Sequence, residues 1–389
     1  MKRAVLAVAV VGMLLPGVVG AAPDGGPRTS VLVMFAEDAP EAVRTSLVRQ
    51  VGGIVTGRID EIDVVRLSVL PGADSVLAAS RHVVAVEYPR DLRLMARAPN
   101  DPLVKLQWGL RRLGAFDAWK VGKKLDDVQV AVLDTGVDAA HVDLSERVLA
   151  GFDYLEIDDD TYDDEGHGTH VAGIIAANAG NRKGVAGIAP NASIIPMKVC
   201  TSSGSCDIFM AYLAAVDAVQ RGADVLNLSL GGAGPCDEIG QTVFDWVRDQ
   251  GALTVVSAGN SGSEGNPSIS PANCDNTLGV GATDIKDRKA EFSSFGNFVD
   301  IAAPGVGIWS TYPPLVSITS PHIGYWPADG TSMAAPFVAG AAAVLKGLHP
   351  DWTPEQIADR LMSTARDAGP KGRDDFFGKG ILDLLAAVR

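Results

Sequence analysis

Four side chains suited to acyl-transfer chemistry stand where apolar runs end or a glycine-rich helix begins: Asp134, His167, Asn260 and Ser332. A serine hydroxyl is a poor nucleophile unless it is exposed at a turn, offered a base and flanked by N–H groups that can receive negative charge. Ser332 lies in GTSMAAPFVAGAAAVLKGL, residues 330–348, at the start of a predicted small-residue helix whose N-terminus supplies such groups. Gly330 permits close approach of a substrate, and Pro336 is expected in the first turn, where no amide hydrogen is needed. Alone, a Ser or Thr at a helix start is more often a simple N-cap, so the assignment depends on partners. Asp134 ends the run VAVLD, where burial and backbone donors would hold a carboxylate ionised. His167, in GHGTHVAG, has glycines on both sides and stands at a helix start, with His170 one turn on; a metal pair of the two histidines lacks a well-spaced third ligand. Asn260 closes VVSAGN, where its amide N–H could face a developing oxyanion or simply make a turn.

The elements that must position these residues follow from periodicity. From residue 101 onward, short apolar strands (VQVAVLD, SIIPMKV, ADVLNLSL, ALTVVSA) alternate with helical patterns (GTHVAGIIAAN, IFMAYLAAVDAVQ, VFDWVRDQ). That order predicts a parallel sheet covered by helices on both faces, with its chemistry at the carboxyl ends of the strands. Before it, residues 29–88 read as strand, helix, strand, strand, helix, strand, a βαββαβ order implying a small antiparallel sheet with two helices on one face. The stretch DLRLMARAPNDP breaks this pattern and reads as an exposed linker.

Composition narrows the function classes. The chain has 389 residues and 47% hydrophobic content, enough for one large and one small domain. A net charge of −14 argues against nucleic acid or anionic membrane as a partner. No run after the N-terminus is expected to be long and apolar enough to span a bilayer, because the Ala-rich segments are broken by charges or glycines, and a monomer is expected. Lys2 and Arg3, the apolar stretch 4–19 and the small residues 20–22 read as a secretory signal, residues 1–22, which implies an extracellular or periplasmic protein. The four cysteines then meet an oxidising compartment. Of three possible pairings, the short loop CTSSGSC favours Cys200 with Cys206, leaving Cys236 for Cys274; no histidine lies close enough in sequence to suggest a metal site instead. The acidic run DDDTYDDEG, residues 158–166, lacks the spacing of a helix-loop-helix calcium site and is expected to be a solvated loop.

Together, VAVLDTGVD, GHGTHVAG, VVSAGN and GTSMAAP, in that order over residues 101–389, resemble the subtilisin-like serine proteases. The resemblance implies a three-layer α/β parallel-sheet catalytic domain at 101–389. Ahead of it would stand a processing linker at 91–100 and a ferredoxin-like α+β unit at 29–90, similar to an inhibitory propeptide. It further implies that Asp134 orients His167, that His167 takes the proton of Ser332, and that Asn260 with the Ser332 N–H forms an oxyanion hole. Ser229, Leu230, Gly231 and Gly232 resemble the rim onto which a polypeptide substrate adds as a strand. No cofactor is implied for catalysis. A structural calcium ion is, with Asp101, Asp143, Asn181 and loop carbonyls as its oxygen ligands. The activity so implied is that of a secreted endopeptidase made as a self-processing precursor, with its own propeptide as inhibitor. An inactive binding relative would have lost part of the Asp, His, Asn and Ser set, and an esterase elbow, GxSxG, is missing around Ser332. The segment 261–273 departs from familiar forms of the family, so the resemblance assigns no side-chain preference. No appended domain is expected after GKGILDLLAAV.

Overall fold

The computed structural model describes residues 27–89, 98–121, 128–314 and 324–389. Residues 1–22, read as a signal, and most of the expected linker lie outside them. Two compact units divide the chain, one within Met1–Leu94 and the other within Met95–Arg389.

The first unit comprises β1 (Thr29–Phe35), α1 (Glu41–Gln50), β2 (Ile54–Ile59), β3 (Val64–Val69), α2 (Ala73–Ala78) and β4 (Val83–Glu87). Its sheet runs in the order β2-β3-β1-β4, with every pair antiparallel. Alternation along β1 and β3 sends Val31, Val33, Leu67 and Val69 into one small core with Leu77 of α2.

The second unit opens with two short helices, α3 (Trp108–Arg112) and α4 (Ala115–Ala118). Its strands and helices then alternate: β5 (Gln129–Asp134), β6 (Phe152–Asp153), α5 (His167–Ala176), β7 (Ser193–Lys198), α6 (Ile208–Gln220), β8 (Val225–Leu228), β9 (Gly232–Ala233), α7 (Glu238–Asp249), β10 (Leu253–Ser257) and β11 (Ile269–Ser270). Next come β12 (Thr277–Thr283), β13 (Ile301–Pro304), β14 (Ile308–Thr311), β15 (Tyr325–Ala328), α8 (Thr331–Leu348), α9 (Pro354–Ser363) and α10 (Leu384–Ala387). Seven strands form one parallel sheet in the order β13-β12-β10-β8-β5-β7-β6. Both faces are covered, which is why β8 and β10 are buried along their whole length and β5 at every residue but its first. One face packs on α5 and α8 through residues such as Val130, Val255, Ile175 and Val338; the other packs on α6 and α7 through Ala131, Val256, Ala215 and Phe244.

Three expectations change at this level. Helix α7 begins at Glu238, five residues before the apolar pattern VFDWVRDQ, because the Asp237 carboxylate caps it by accepting from Gly240 N at 2.8 Å. Helix α8 is long and apolar enough to cross a membrane by length and composition, but 78% of its 18 residues are buried within the protein, so it serves as the central core helix. Pro336 is the sixth residue of α8 and not in its first turn. Without a Pro336 N–H, the Ser332 carbonyl has no helical donor four residues on, and Ser229 Oγ donates to it instead at 2.9 Å.

Candidate active site

Strands β5, β8 and β10 are neighbours, and their carboxyl ends carry Asp134, Ser229 and, two residues past Ala258, Asn260. The N-termini of α5 and α8 add His167 and Ser332 to the same end of the sheet. His167 Nδ1 lies 2.7 Å from Asp134 Oδ1, with the carboxylate buried and the imidazole 29% exposed. Thr135 N donates to the same Oδ1 at 2.8 Å, while Asp134 Oδ2 is buried without a partner among the described residues. Close approach makes this pairing possible: a Cβ on Gly168 would lie 2.1 Å from Gly136 O and 3.1 Å from Asp134 Cβ.

Burial by itself lowers the basicity of His167, but the charge of Asp134 and the hydrogen bond to it outweigh burial and raise its pKa to about 9. Glu165 adds to this, and its Oε2 also accepts from His167 N at 2.7 Å at the helix start. His170 behaves oppositely. Fully buried, it holds its Nε2 2.9 Å from Trp326 O, and burial lowers its pKa to about 4.

Ser332 Oγ donates to Ser229 O at 3.1 Å, so its hydroxyl points along the SLGG rim. Asn260 Oδ1 accepts from Thr331 N and from Thr331 Oγ1, both at 2.9 Å. Those two bonds fix the amide so that Nδ2, which has no acceptor among the described residues, is left as the donor. Gly231 and Gly232 are exposed, and β9 pairs with β11 through Ile269↔Ala233 and Ser270↔Gly232. A cavity of about 500 Å³ runs from Asp134 and His167 along Ser229 to Gly234, bounded across from them by Cys200 and Cys206. Both expected disulfides form: Cys200 with Cys206, Cα atoms 4.0 Å apart, and Cys236 with Cys274, 5.0 Å apart.

Two supporting residues were not foreseen. The acidic run was expected to be solvated, yet Asp163 within it is fully buried. Its Oδ1 accepts from Thr135 Oγ1 at 2.8 Å and Gly166 N at 2.7 Å, and its Oδ2 from Thr169 N at 2.8 Å and Thr169 Oγ1 at 2.6 Å. One carboxylate thus ties the loop after β5 to the start of α5. Lys198, opposite Asp134 in the sheet register, donates to Thr135 O at 2.8 Å, Tyr162 O at 3.1 Å and Asp164 Oδ1 at 2.7 Å. The available signals were an aspartate just before a helix start and a lone lysine ending an apolar strand.

Asp101, Asp143 and Asn181 also meet. Asp143 Oδ1 accepts from Asn181 Nδ2 at 2.7 Å, and Asp143 Oδ2 from Val185 N at 3.0 Å and Tyr325 OH at 2.9 Å. Asp101 accepts from Gly180 N at 2.7 Å and Arg182 N at 3.0 Å. Burial, with a smaller contribution from the charge of Asp143, raises the Asp101 pKa. Two buried carboxylates that make no ion pair with a cationic side chain among the described residues, beside the Asn181 amide, suit a hard cation. Among the described residues no group of three His, Cys, Asp or Glu forms a metal cluster, so amide and carbonyl oxygens would have to complete this set.

The sequence pattern of the subtilase family, peptidase family S8, matches residues 126–380. The chain belongs to that family. It is similar to subtilisin DY of Bacillus licheniformis, 39% identical over 286 residues that make up 72% of this chain and 98% of the relative. A thermophilic serine proteinase of Bacillus sp. (strain AK1) is 36% identical over 347 residues, 86% of this chain and 83% of its own. Among solved structures, fervidolysin from Fervidobacterium pennivorans, described as a keratinolytic enzyme related to subtilisin, aligns with a TM-score of 0.69 at 30% identity, covering 95% of this chain and 62% of fervidolysin. The protein is therefore a subtilisin-like serine peptidase with the subtilisin-like α/β fold, a hydrolase acting on polypeptides without a catalytic cofactor.

Proposed function

We propose that this subtilase is a secreted endopeptidase whose nucleophile is Ser332, made as a precursor that processes itself. The observation that carries the reading is the convergence of Asp134, His167, Asn260 and Ser332 at one end of a single sheet. In the proposed cycle a polypeptide adds as a strand to Ser229, Leu230, Gly231 and Gly232. His167 Nε2 takes the Ser332 proton as Oγ attacks the carbonyl carbon, while Asp134 holds the imidazole by Nδ1 and stabilises the imidazolium. Asn260 Nδ2 and the Ser332 N–H receive the oxyanion. His167 then gives its proton to the leaving amine, and water repeats the sequence to free the acyl group.

In this scheme the βαββαβ unit is a folding aid and temporary inhibitor, and the chain between residues 92 and 99 is the substrate of the first cut, held at high effective concentration. Support comes from the four-stranded antiparallel fold of that unit. Purified Ser332→Ala should remain an uncut precursor, whereas the wild type should yield a mature chain starting near residues 96–100. Processing of the purified variant at the same bond would rule out self-maturation.

Calcium at Asp101, Asp143 and Asn181 would neutralise two buried carboxylates and tie the 180–185 loop to the segment carrying Asp101. A ligand bound only by the folded state adds stability, so chelation should lower the Tm of the mature form more than its initial rate at low temperature. Equal Tm values with and without chelator would remove the assignment.

A further inference from the structure

Strand β8, at the centre of the seven-stranded sheet, is buried along its whole length, yet one of its four residues is an amide. Asn227 is fully buried, flanked in register by Val132 of β5 and Val255 of β10, both of which belong to the core under α5 and α8. Among the described residues its side chain makes one hydrogen bond, from Nδ2 to Ser229 Oγ at 2.9 Å. One bond recovers only part of the cost of burying an amide, so packing alone would favour a leucine here. The reason for the amide lies in what Ser229 does.

Ser229 Oγ donates its hydrogen to Ser332 O at 2.9 Å, the carbonyl that Pro336 leaves without a helical donor. A carbonyl can only accept, so toward Asn227 the Ser229 oxygen must itself accept, and the atom facing it must be a donor. Asparagine meets that requirement through Nδ2, whereas an ionised aspartate of the same shape cannot. The relay therefore has one direction, from Asn227 to Ser229 to Ser332, and it reaches from the middle of the sheet to the first turn of α8. A second bond runs the other way, from Ser332 Oγ to Ser229 O at 3.1 Å. Once Ser332 Oγ is acylated it carries no hydrogen, so of these two bonds only the one to the Ser332 carbonyl remains.

We propose that Asn227 is a positioning residue for the nucleophile: by donating to Ser229 it directs the Ser229 hydroxyl onto the Ser332 carbonyl, which fixes the backbone that carries Ser332 Oγ and N–H. The proposal rests on the reading of Ser332 as the nucleophile. Without the amide, the Ser229 hydroxyl can turn away and the first turn of α8 loses this anchor on the end of β8. A hydrogen bond of this kind corresponds to a factor of about 3 to 10 in rate.

The test is the pseudo-first-order rate constant for labelling of Ser332 by a fluorophosphonate, which does not depend on what fraction of a sample is folded, read beside a urea titration. Asn227→Leu should label about 3- to 10-fold more slowly than the wild type while its urea midpoint stays equal or rises, a combination that a packing role would not give. Asn227→Asp, which keeps the shape and removes the donor, should be slowed at least as much. Ser229→Ala should be slowed as well, and adding Asn227→Leu to it should change the rate by less than about 2-fold, because the relay is already cut. Wild-type rates in Asn227→Leu or Asn227→Asp, or effects that multiply in the double variant, would overturn the proposal. A Ser229→Ala protein that labels at the wild-type rate overturns it whether or not the residue 227 variants fold. Labelling at another residue, or peptide cleavage that persists in Ser332→Ala, would instead overturn the reading of the nucleophile.

Discussion

His167 and His170 stand one helical turn apart, and the protein shifts them in opposite directions. Asp134 raises His167 to about 9, while burial lowers His170 to about 4. Since only neutral His167 can accept the Ser332 proton, kcat/KM should rise with pH through a limb displaced above 6.5, the ordinary histidine value, toward 9. A pH–rate profile whose acid limb falls at or below about 6 would contradict this. The stability signs are opposite too. The raised His167 contributes stability that is full below its unfolded pKa and is lost as pH rises through about 9, so the pair is least stabilising where the base is most active. His170 contributes stability that is present above its unfolded pKa and lost as pH falls toward about 4, a displacement worth about 3 kcal/mol. In the proposed cycle Asn260 likewise has two roles, one toward the oxyanion through Nδ2 and one toward Thr331 through Oδ1.

At the scale of elements, the site depends on how β5, α5 and the loop between them are fastened. Asp163 accepts from residues on both sides of the Asp134–His167 pair, so Asp163→Ala leaves several buried donors unpaired and frees the start of α5. The expected loss is about 3 kcal/mol of stability with a fall in turnover, read by denaturant titration and kcat on one preparation. A variant within ~0.5 kcal/mol of wild type would show that the loop is merely solvated. The motif residues were legible because each lies in a short segment whose own strand end or helix start positions it. Asp163 and Lys198 were not, since their partners lie in other segments: Lys198 reaches back 63 residues to Thr135. Pro336 was misplaced because the helix start depends on Thr331, whose N–H and hydroxyl are held by Asn260, 71 residues earlier.

For the whole molecule, strand order converts four scattered motifs into one site. Segments 134, 229 and 260 meet only because β5, β8 and β10 are adjacent, a topology that the alternating pattern implied but whose order it did not specify. The two halves of the sheet's covering explain why both apolar strands and small-residue helices were readable, since both bury most of their side chains against apolar neighbours. It follows that the reactivity of Ser332 belongs to the folded chain and to no local segment. The direct measurement is labelling of the mature protein with a fluorophosphonate, followed by peptide mass spectrometry to locate the adduct. The account requires a single adduct on Ser332, loss of peptidase activity in step with labelling, and no label in urea-unfolded protein or in His167→Ala. An adduct on another residue, or full peptidase activity in Ser332→Ala, would contradict it.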